Sequence, residues 1–320
     1  MAMFETFDDE LQALAVRARD GDAGIRKVAM MELAEAVEEG AADLLLAGLS
    51  DSDAGVRAAA AKALDEHQGS AVALGLIAAL DDADEAVRLA AAESLADKKE
   101  PAATDRLIER AGEGNAFVQA AALRALREMQ EPAAMPVALA ALQHPDATVR
   151  REALAVLGYL KAEAALPALL VAAKDSDASV RRSVMASLVF VKSGTPGVPA
   201  LLAGLRDPHW LVREEAAFSI GKAKLAEATL PLIAALDDEA WQVQAKAVNA
   251  LGKMQATAAV AAIGGALGHE LSNVRKEAAA ALGEIADPAA LGALEAACND
   301  PDPDVRKLVR WALGRCQAVA

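Results

Sequence analysis

An all-α solenoid of about ten helical hairpins is the fold predicted by this 320-residue sequence. Three observations predict it. A cassette reading Asp-x-Asp-x-x-Val-Arg recurs along the chain, its last position falling at Arg26, Arg57, Arg88, Gln119, Arg150, Arg181, Arg213, Gln244, Arg275 and Arg306. Successive steps are 31 residues, with one step of 32 between Arg181 and Arg213. A period of that size marks units that bury their apolar faces only by stacking on their neighbours. Apolar residues then recur at helical rather than strand spacing, and alternating runs with Asn-Gly hairpin turns are missing.

The elements follow in order. Residues 6–19 (FDDELQALAVRARD) read as a polar first helix that closes the stack, and residues 304–317 as a last one carrying Lys307, Arg310 and Arg315. Between them, each cassette starts a helix. Asp22, Asp53, Asp84, Asn115, Asp146, Asp177 and Asp302 lie four residues before the cassette end, where a short side-chain oxygen caps free amides. In the fifth unit Val149, Ala153, Val156 and Leu157 repeat at i, i+4, i+7 and i+8, with Arg150, Arg151 and Glu152 on the other side. A return helix over 162–174 puts Leu166, Leu170 and Ala173 on one face before the next Asp175-Ser176-Asp177 turn. The expected organisation is one elongated body over 1–320: an N-terminal capping helix at 6–19, repeats over 20–303 and a C-terminal capping helix over 304–320. Alanine, with aromatic residues at only 3%, lets such helices pack closely on strong helix propensity. Gly158, Gly221, Gly252, Gly283 and Gly314, eight positions after a cassette end, read as close-packing sites.

Asp300-Pro301-Asp302-Pro303-Asp304-Val305-Arg306 and the run Val274-Arg275-Lys276-Glu277-Ala278 through Gly283 resemble the short HEAT-like repeats of phycobilin lyases and many bacterial proteins, over nearly the whole chain. The resemblance implies the fold and leaves the function to be argued from sites. Deoxyhypusine hydroxylase carries a similar repeat and binds two irons through His-Glu pairs placed just after the Val-Arg. The matching pairs here are Arg151-Glu152, Glu214-Glu215 and Lys276-Glu277, without imidazoles, and His269-Glu270 falls in the turn before its helix. With four histidines in all, His67, His144, His209 and His269, none paired at i, i+3 or i+4, no metal or other cofactor is expected.

Other function classes recede on similar grounds. A net charge of −15 and a pI near 4.8 oppose nucleic-acid binding, because phosphate neutralisation needs a basic stripe. The regular arginines read instead as an inter-repeat ladder on turn aspartates. MAMFETFDDE is acidic where a secretory signal is basic, and charged, Gly or Pro residues interrupt every apolar run, so a cytoplasmic protein without membrane contact is expected. Cys298 and Cys316 lack metal or redox spacing, and neither a nucleophile elbow nor a phosphate loop is present.

What remains is surface. The return segments 195–205, 228–236 and 256–267 contain no ionisable side chain. The resemblance to HEAT-like stacks implies that these second helices line the concave face, where Thr195, Pro199, Thr229, Pro231, Ala234, Thr257, Ala261 and Gly264 should face outward and leave a nearly neutral groove. In units seven to nine the capping Asp is replaced by His209, Ala240 and Leu271, and Trp210 and Trp241 enter at equivalent positions, close to Gln242, Gln244, His269 and Glu270. Trp is the residue type most enriched at binding hot spots. These seven residues, His209, Trp210, Trp241, Gln242, Gln244, His269 and Glu270, form the expected partner-binding patch. The sequence is therefore read as a non-enzymatic scaffold or adaptor that binds a protein through its concave groove and the edge of units seven to nine. The resemblance implies an alternative, a subunit of a phycobilin-lyase-like enzyme holding a tetrapyrrole or its acceptor protein.

Overall fold

The computed structural model describes residues 2–36, 40–161 and 163–319, and among these every regular element is helical. Expectations placed on Met1, Ala162 and Ala320 lie outside the described residues. Two compact units divide the chain, Met1–Leu160 and Lys161–Ala320. The first contains α1 (Ala2–Arg17), α2 (Ala23–Leu33), α3 (Ala41–Gly48), α4 (Ala54–Ala63), α5 (Ser70–Ala79), α6 (Glu85–Ala96), α7 (Thr104–Gly112), α8 (Ala116–Met129), α9 (Met135–Ala141) and α10 (Ala147–Tyr159). The second contains α11 (Leu166–Ala172), α12 (Ala178–Ser187), α13 (Gly197–Gly204), α14 (Trp210–Ala223), α15 (Thr229–Ala234), α16 (Trp241–Lys253), α17 (Val260–Ala266), α18 (Ser272–Ile285), α19 (Leu291–Ala296) and α20 (Pro303–Gln317). Even-numbered helices start at the cassettes, and odd-numbered helices from α3 onward are the return segments.

Local chemistry explains the starts. Asp22, Asp53, Asp84, Asn115, Asp146, Asp177 and Asp302 are all N-caps whose side-chain oxygens accept amide protons of the new first turn. Two residues upstream, a second aspartate does double work. Asp51 Oδ1 accepts the Asp53 amide at 2.8 Å, and the same carboxylate accepts Arg26 Nε and Nη2, both at 2.7 Å, from the preceding cassette. The rung recurs as Arg57–Asp82 in the first unit and as Arg181–Asp207, Arg213–Asp238 and Arg275–Asp300 in the second, with Nε–Oδ2 at 2.7 Å each time. The third guanidinium nitrogen turns back on its own turn: Arg57 Nη1 donates to the carbonyls of Asp51 and Ser52 at 2.9 and 3.3 Å. Hydrogen bonding to arginine holds the Asp51, Asp82 and Asp300 carboxyls below the usual carboxylate range. Arg88 has Glu113 at the corresponding downstream position and bonds the carbonyls of Asp82 and Ala83.

The fifth-unit stripe is buried as expected, but Glu152 is buried with it rather than facing solvent. Three guanidiniums account for this, Arg124 at 3.2 Å, Arg127 at 3.6 Å and Arg151 at 4.0 Å from its oxygens. The return helix α11 is shorter than the expected 162–174, since Glu163–Ala165 form a 3-10 turn. Its core residues are Ala165 and Leu169, while Leu166, Leu170 and Ala173 are half-buried, because the turn resets the helical phase by one position. A different tie closes the first unit: Lys98, almost fully buried, donates to the carbonyl of Asp65, and His67 Nε2 lies 3.1 Å from the Leu33 carbonyl. Both satisfy carbonyls at the end of the preceding cassette helix.

In the second unit the cassette helices α14, α16, α18 and α20 pack along one another, whereas successive return helices touch at few residues. Small residues make the difference. A Cβ at Gly221 would lie 2.6 Å from Ala250 Cα, and one at Gly252 2.8 Å from Ala281 Cα, so only bare backbone permits this spacing. Gly283 seats the Trp311 ring instead of a helix, and Gly314 meets open space. The cassette helices are thus the more closely packed row of this unit, and the return helices the looser one.

The extra residue of the sixth repeat sits in the loop before α13 and leaves the ladder intact. Gly194 adopts φ +77°, Ser193 Oγ and the Gly194 amide donate to Glu227 at 2.6 and 3.1 Å, and Arg181 still reaches Asp207.

Candidate functional site

The cassette turn decides where each predicted site residue lies. Trp210 and Trp241 are the first residues of α14 and α16, placed at the same end of two helices that pack side by side. Trp210 is half-buried and Trp241 is 37% exposed. His209 is the N-cap of α14, and its Nδ1 accepts the Leu211 amide at 3.3 Å; Ala240 and Leu271 provide no side-chain cap. Gln242 is half-buried beside Trp241, and Glu270 is exposed.

Gln244 and His269 belong to the ladder as well as to the patch. Gln244 Nε2 donates to the Asp238 carbonyl at 2.6 Å, the inward bond that an arginine makes elsewhere. His269 Nδ1 accepts the Leu271 amide at 3.0 Å, the bond that a turn aspartate makes elsewhere, and its carbonyl accepts Arg275 Nη1 at 2.8 Å. Gln119 and His144 repeat the pattern in the first unit: Gln119 Nε2 donates to the Gly114 carbonyl at 3.0 Å, and His144 Nδ1 accepts the Asp146 amide at 3.0 Å. Both substitutions come as pairs 25 residues apart, the spacing of a rung. A Gln in place of the arginine and a His in place of the aspartate keep both turns and remove the Arg–Asp ion pair between them.

Restoring that rung has an expected outcome. In the Gln119→Arg/His144→Asp double variant, the urea midpoint rises above either single variant, with a coupling of about 1 kcal/mol in a double-mutant cycle. Strict additivity of the two single changes would show that no rung forms there.

The charge-free return segments do face outward. Pro199, Ala234, Thr257 and Ala261 are exposed, and Thr195, Thr229, Pro231 and Gly264 are half-buried. Leu230, on α15 between them, is 75% exposed. The structure also shows what the sequence reading passes over: Phe218 on α14 and Trp311 on α20 stand exposed on the cassette face. Phe218 followed by Lys222 one helical turn later is the local signal for it. In the first unit a groove of about 740 Å³ opens over α2, α4 and α6, with Met31, Ala58, Ala59 and Ala90 on its floor and Lys27 and Lys62 beside them. No helix among the described residues is long and apolar enough to cross a membrane.

Comparison with known proteins matches the sequence to a family model described as HEAT repeats, at residues 73–147, 135–221, 198–260 and 229–314. No curated protein matches the sequence. Among solved structures, the chain is similar to an engineered protein at 21% identity, covering 95% of this chain and 98% of that one, with a TM-score of 0.52. It is similar to YibA of E. coli at 18% identity, with coverage of 93% and 98% and a TM-score of 0.52. Yeast importin-β (Kap95p) aligns at 16% identity and a TM-score of 0.63, over 97% of this chain and 53% of that one. The chain thus spans about half the length of importin-β.

Proposed function

The chain belongs to the HEAT-repeat family, and from that premise we propose that it is a non-enzymatic protein-binding scaffold whose contact surface is the turn edge of units seven to nine. The observation that carries this reading is the pair of indoles in register at the N-terminal ends of α14 and α16, with Trp241 more than one-third exposed. A large rigid aromatic group at a helix start has few core neighbours, and its exposed area is available to a partner. The outward neutral residues of α13, α15 and α17 extend this surface with little desolvation cost, since no charge has to leave water there. His209, Gln242 and Glu270 supply a polar rim. Structural neighbours give the reading its context: Kap95 is in a complex with Nup1, and Kap121p is bound to Nup53p. In this reading the protein needs no cofactor and works in the cytoplasm, as one continuous repeat body.

The test is the Trp210→Ala/Trp241→Ala variant. Capture by the wild-type chain in its native host, read by mass spectrometry, is expected to return a protein whose binding weakens by about 2 kcal/mol or more in the variant. The melting temperature should change little. A sharp fall in melting temperature, with partner binding lost only in proportion to the folded fraction, would make the two indoles packing groups and defeat the assignment. A visible absorbance change on mixing with a linear tetrapyrrole would favour the lyase-like alternative instead.

A further inference from the structure

The cassette face of the second unit gathers positive charge around one ring. Lys222, one turn after Phe218 on α14, and Lys246 and Lys253 from α16 place their ammonium groups 6.0, 5.6 and 5.7 Å from the centroid of the Phe218 ring. Cations are attracted to the face of a phenyl ring, but three of them around a single ring also repel one another. No carboxylate among the described residues forms an ion pair with any of the three, unlike the arginines of the ladder rungs. On the same row Glu215 is engaged by Arg182 at 3.2 Å and Glu277 by Asn249 at 2.9 Å.

A groove of about 670 Å³ opens beside this ring. Its floor is the bare backbone of Gly221 and Gly252, the positions that let α14, α16 and α18 approach, and Trp311, 45% exposed, stands at its far side. Lys224 and Arg315 add two further cations, and Glu284 is the one carboxylate in the lining. The four cations of the lining, Lys222, Lys224, Lys253 and Arg315, against the one acid give the groove a charge of +3 in a chain whose net charge is −15, leaving −18 on the remainder.

We propose that this groove binds an acidic protein segment that carries apolar side chains. Carboxylates would pair with Lys222, Lys246 and Lys253, and the apolar side chains would cover the exposed faces of Phe218 and Trp311. Charge complementarity selects the sign of the partner, and the net acidity of the chain outside the patch selects its size. A short acidic segment fits within the basic patch, whereas a polyphosphate strand must continue across the acidic remainder of the chain. The proposal rests on the reading of the chain as a protein-binding scaffold, but not on the tryptophan edge.

The probe is a short fluorescein-labelled peptide of Asp and Glu containing Leu and Phe, titrated with the full chain and read by anisotropy. Saturable, salt-sensitive binding is expected, weakened by about tenfold or more in Lys222→Glu/Lys253→Glu. Lys222→Gln/Lys253→Gln should show a smaller loss in the same direction, and circular dichroism should show both variants folded. Trp210→Ala/Trp241→Ala should leave this binding unchanged. Absence of binding, or binding indifferent to the lysines, overturns the proposal. So does a single-stranded oligonucleotide that binds more tightly than the peptide at physiological salt and loses its affinity in the lysine variants. A native partner that is captured and released only by the tryptophan variant would leave the scaffold reading standing and this groove without its role.

Discussion

Replacing Arg275 with Ala is expected to cost about 3 kcal/mol, the largest single-residue loss among the rungs. Its rung is the most enclosed of the set, with side-chain exposures of 10% for Arg275 and 6% for Asp300. Removal strips Asp300 of bonds at 2.7 and 3.0 Å and leaves the carbonyls of His269 and Glu270 without the Nη1 donor they share. The residual penalty is that of a carboxylate held away from water without its counter-charge, which is larger than the net worth of the pair. Chemical denaturation gives the size, and hydrogen exchange gives the place, since protection should fall in α18 and α20 before the rest of the unit. A loss near that of an exposed ion pair, about 0.5 kcal/mol, would show that Asp300 finds water or another donor.

Gly221→Ala is expected to be nearly as costly, at about 2–3 kcal/mol, for a purely steric reason. The new methyl would meet the Cα and Cβ of Ala250 at 2.6 and 2.7 Å, and backbone on the neighbouring helix cannot rotate away. Helices α14 and α16 would have to separate, losing dispersion contacts along their whole length. Gly292→Ala is the internal control. No atom lies within 4 Å of its added methyl, so the usual preference of helices for Ala should raise stability by ~0.5 kcal/mol or more. Thermal melts of the two variants should therefore move in opposite directions, and a neutral Gly221→Ala would refute the close approach.

These two cases show why the fold is legible in the sequence and the surface is not. The N-cap aspartates and the arginines act within a turn or across a fixed offset of one repeat, so their partners can be counted along the chain. Gly221 announces itself by recurring with the period, although its contact with Ala250 needs the packed pair of helices. Glu152 misleads the helical wheel because its burial depends on Arg124 and Arg127 of another helix. The Phe218 cluster is harder still. Lys246 and Lys253 lie in the next cassette helix, and nothing in the spacing of 218 with 246 and 253 points to one ring until the Gly-mediated approach of α14 and α16 is known. The tryptophan edge, by contrast, can be read from the cassette alone, because Trp210 and Trp241 occupy one register position. Exposure is what the sequence leaves undecided there: two equivalent positions give a half-buried and a more open indole.

The rung has a meaning for heredity as well. Arg26, Arg57, Arg213 and Arg275 each bind an aspartate 25 residues on, and Arg181, across the longer sixth repeat, one 26 residues on, so the bond carries no address. A crossover between misaligned copies of the coding sequence, dropping or adding one whole period, rejoins an arginine to an aspartate and produces a protein whose new seam is chemically like the old ones. The Gln119/His144 and Gln244/His269 pairs are exceptions, as is Arg88, which has Glu113 downstream and bonds only carbonyls of its own turn. A junction that splits either pair sets Gln against Asp or Arg against His, leaving a charge without its mate. Lengthening and shortening of the gene is thereby channelled: repeats between the two Gln/His seams can be exchanged, while each seam must be inherited whole.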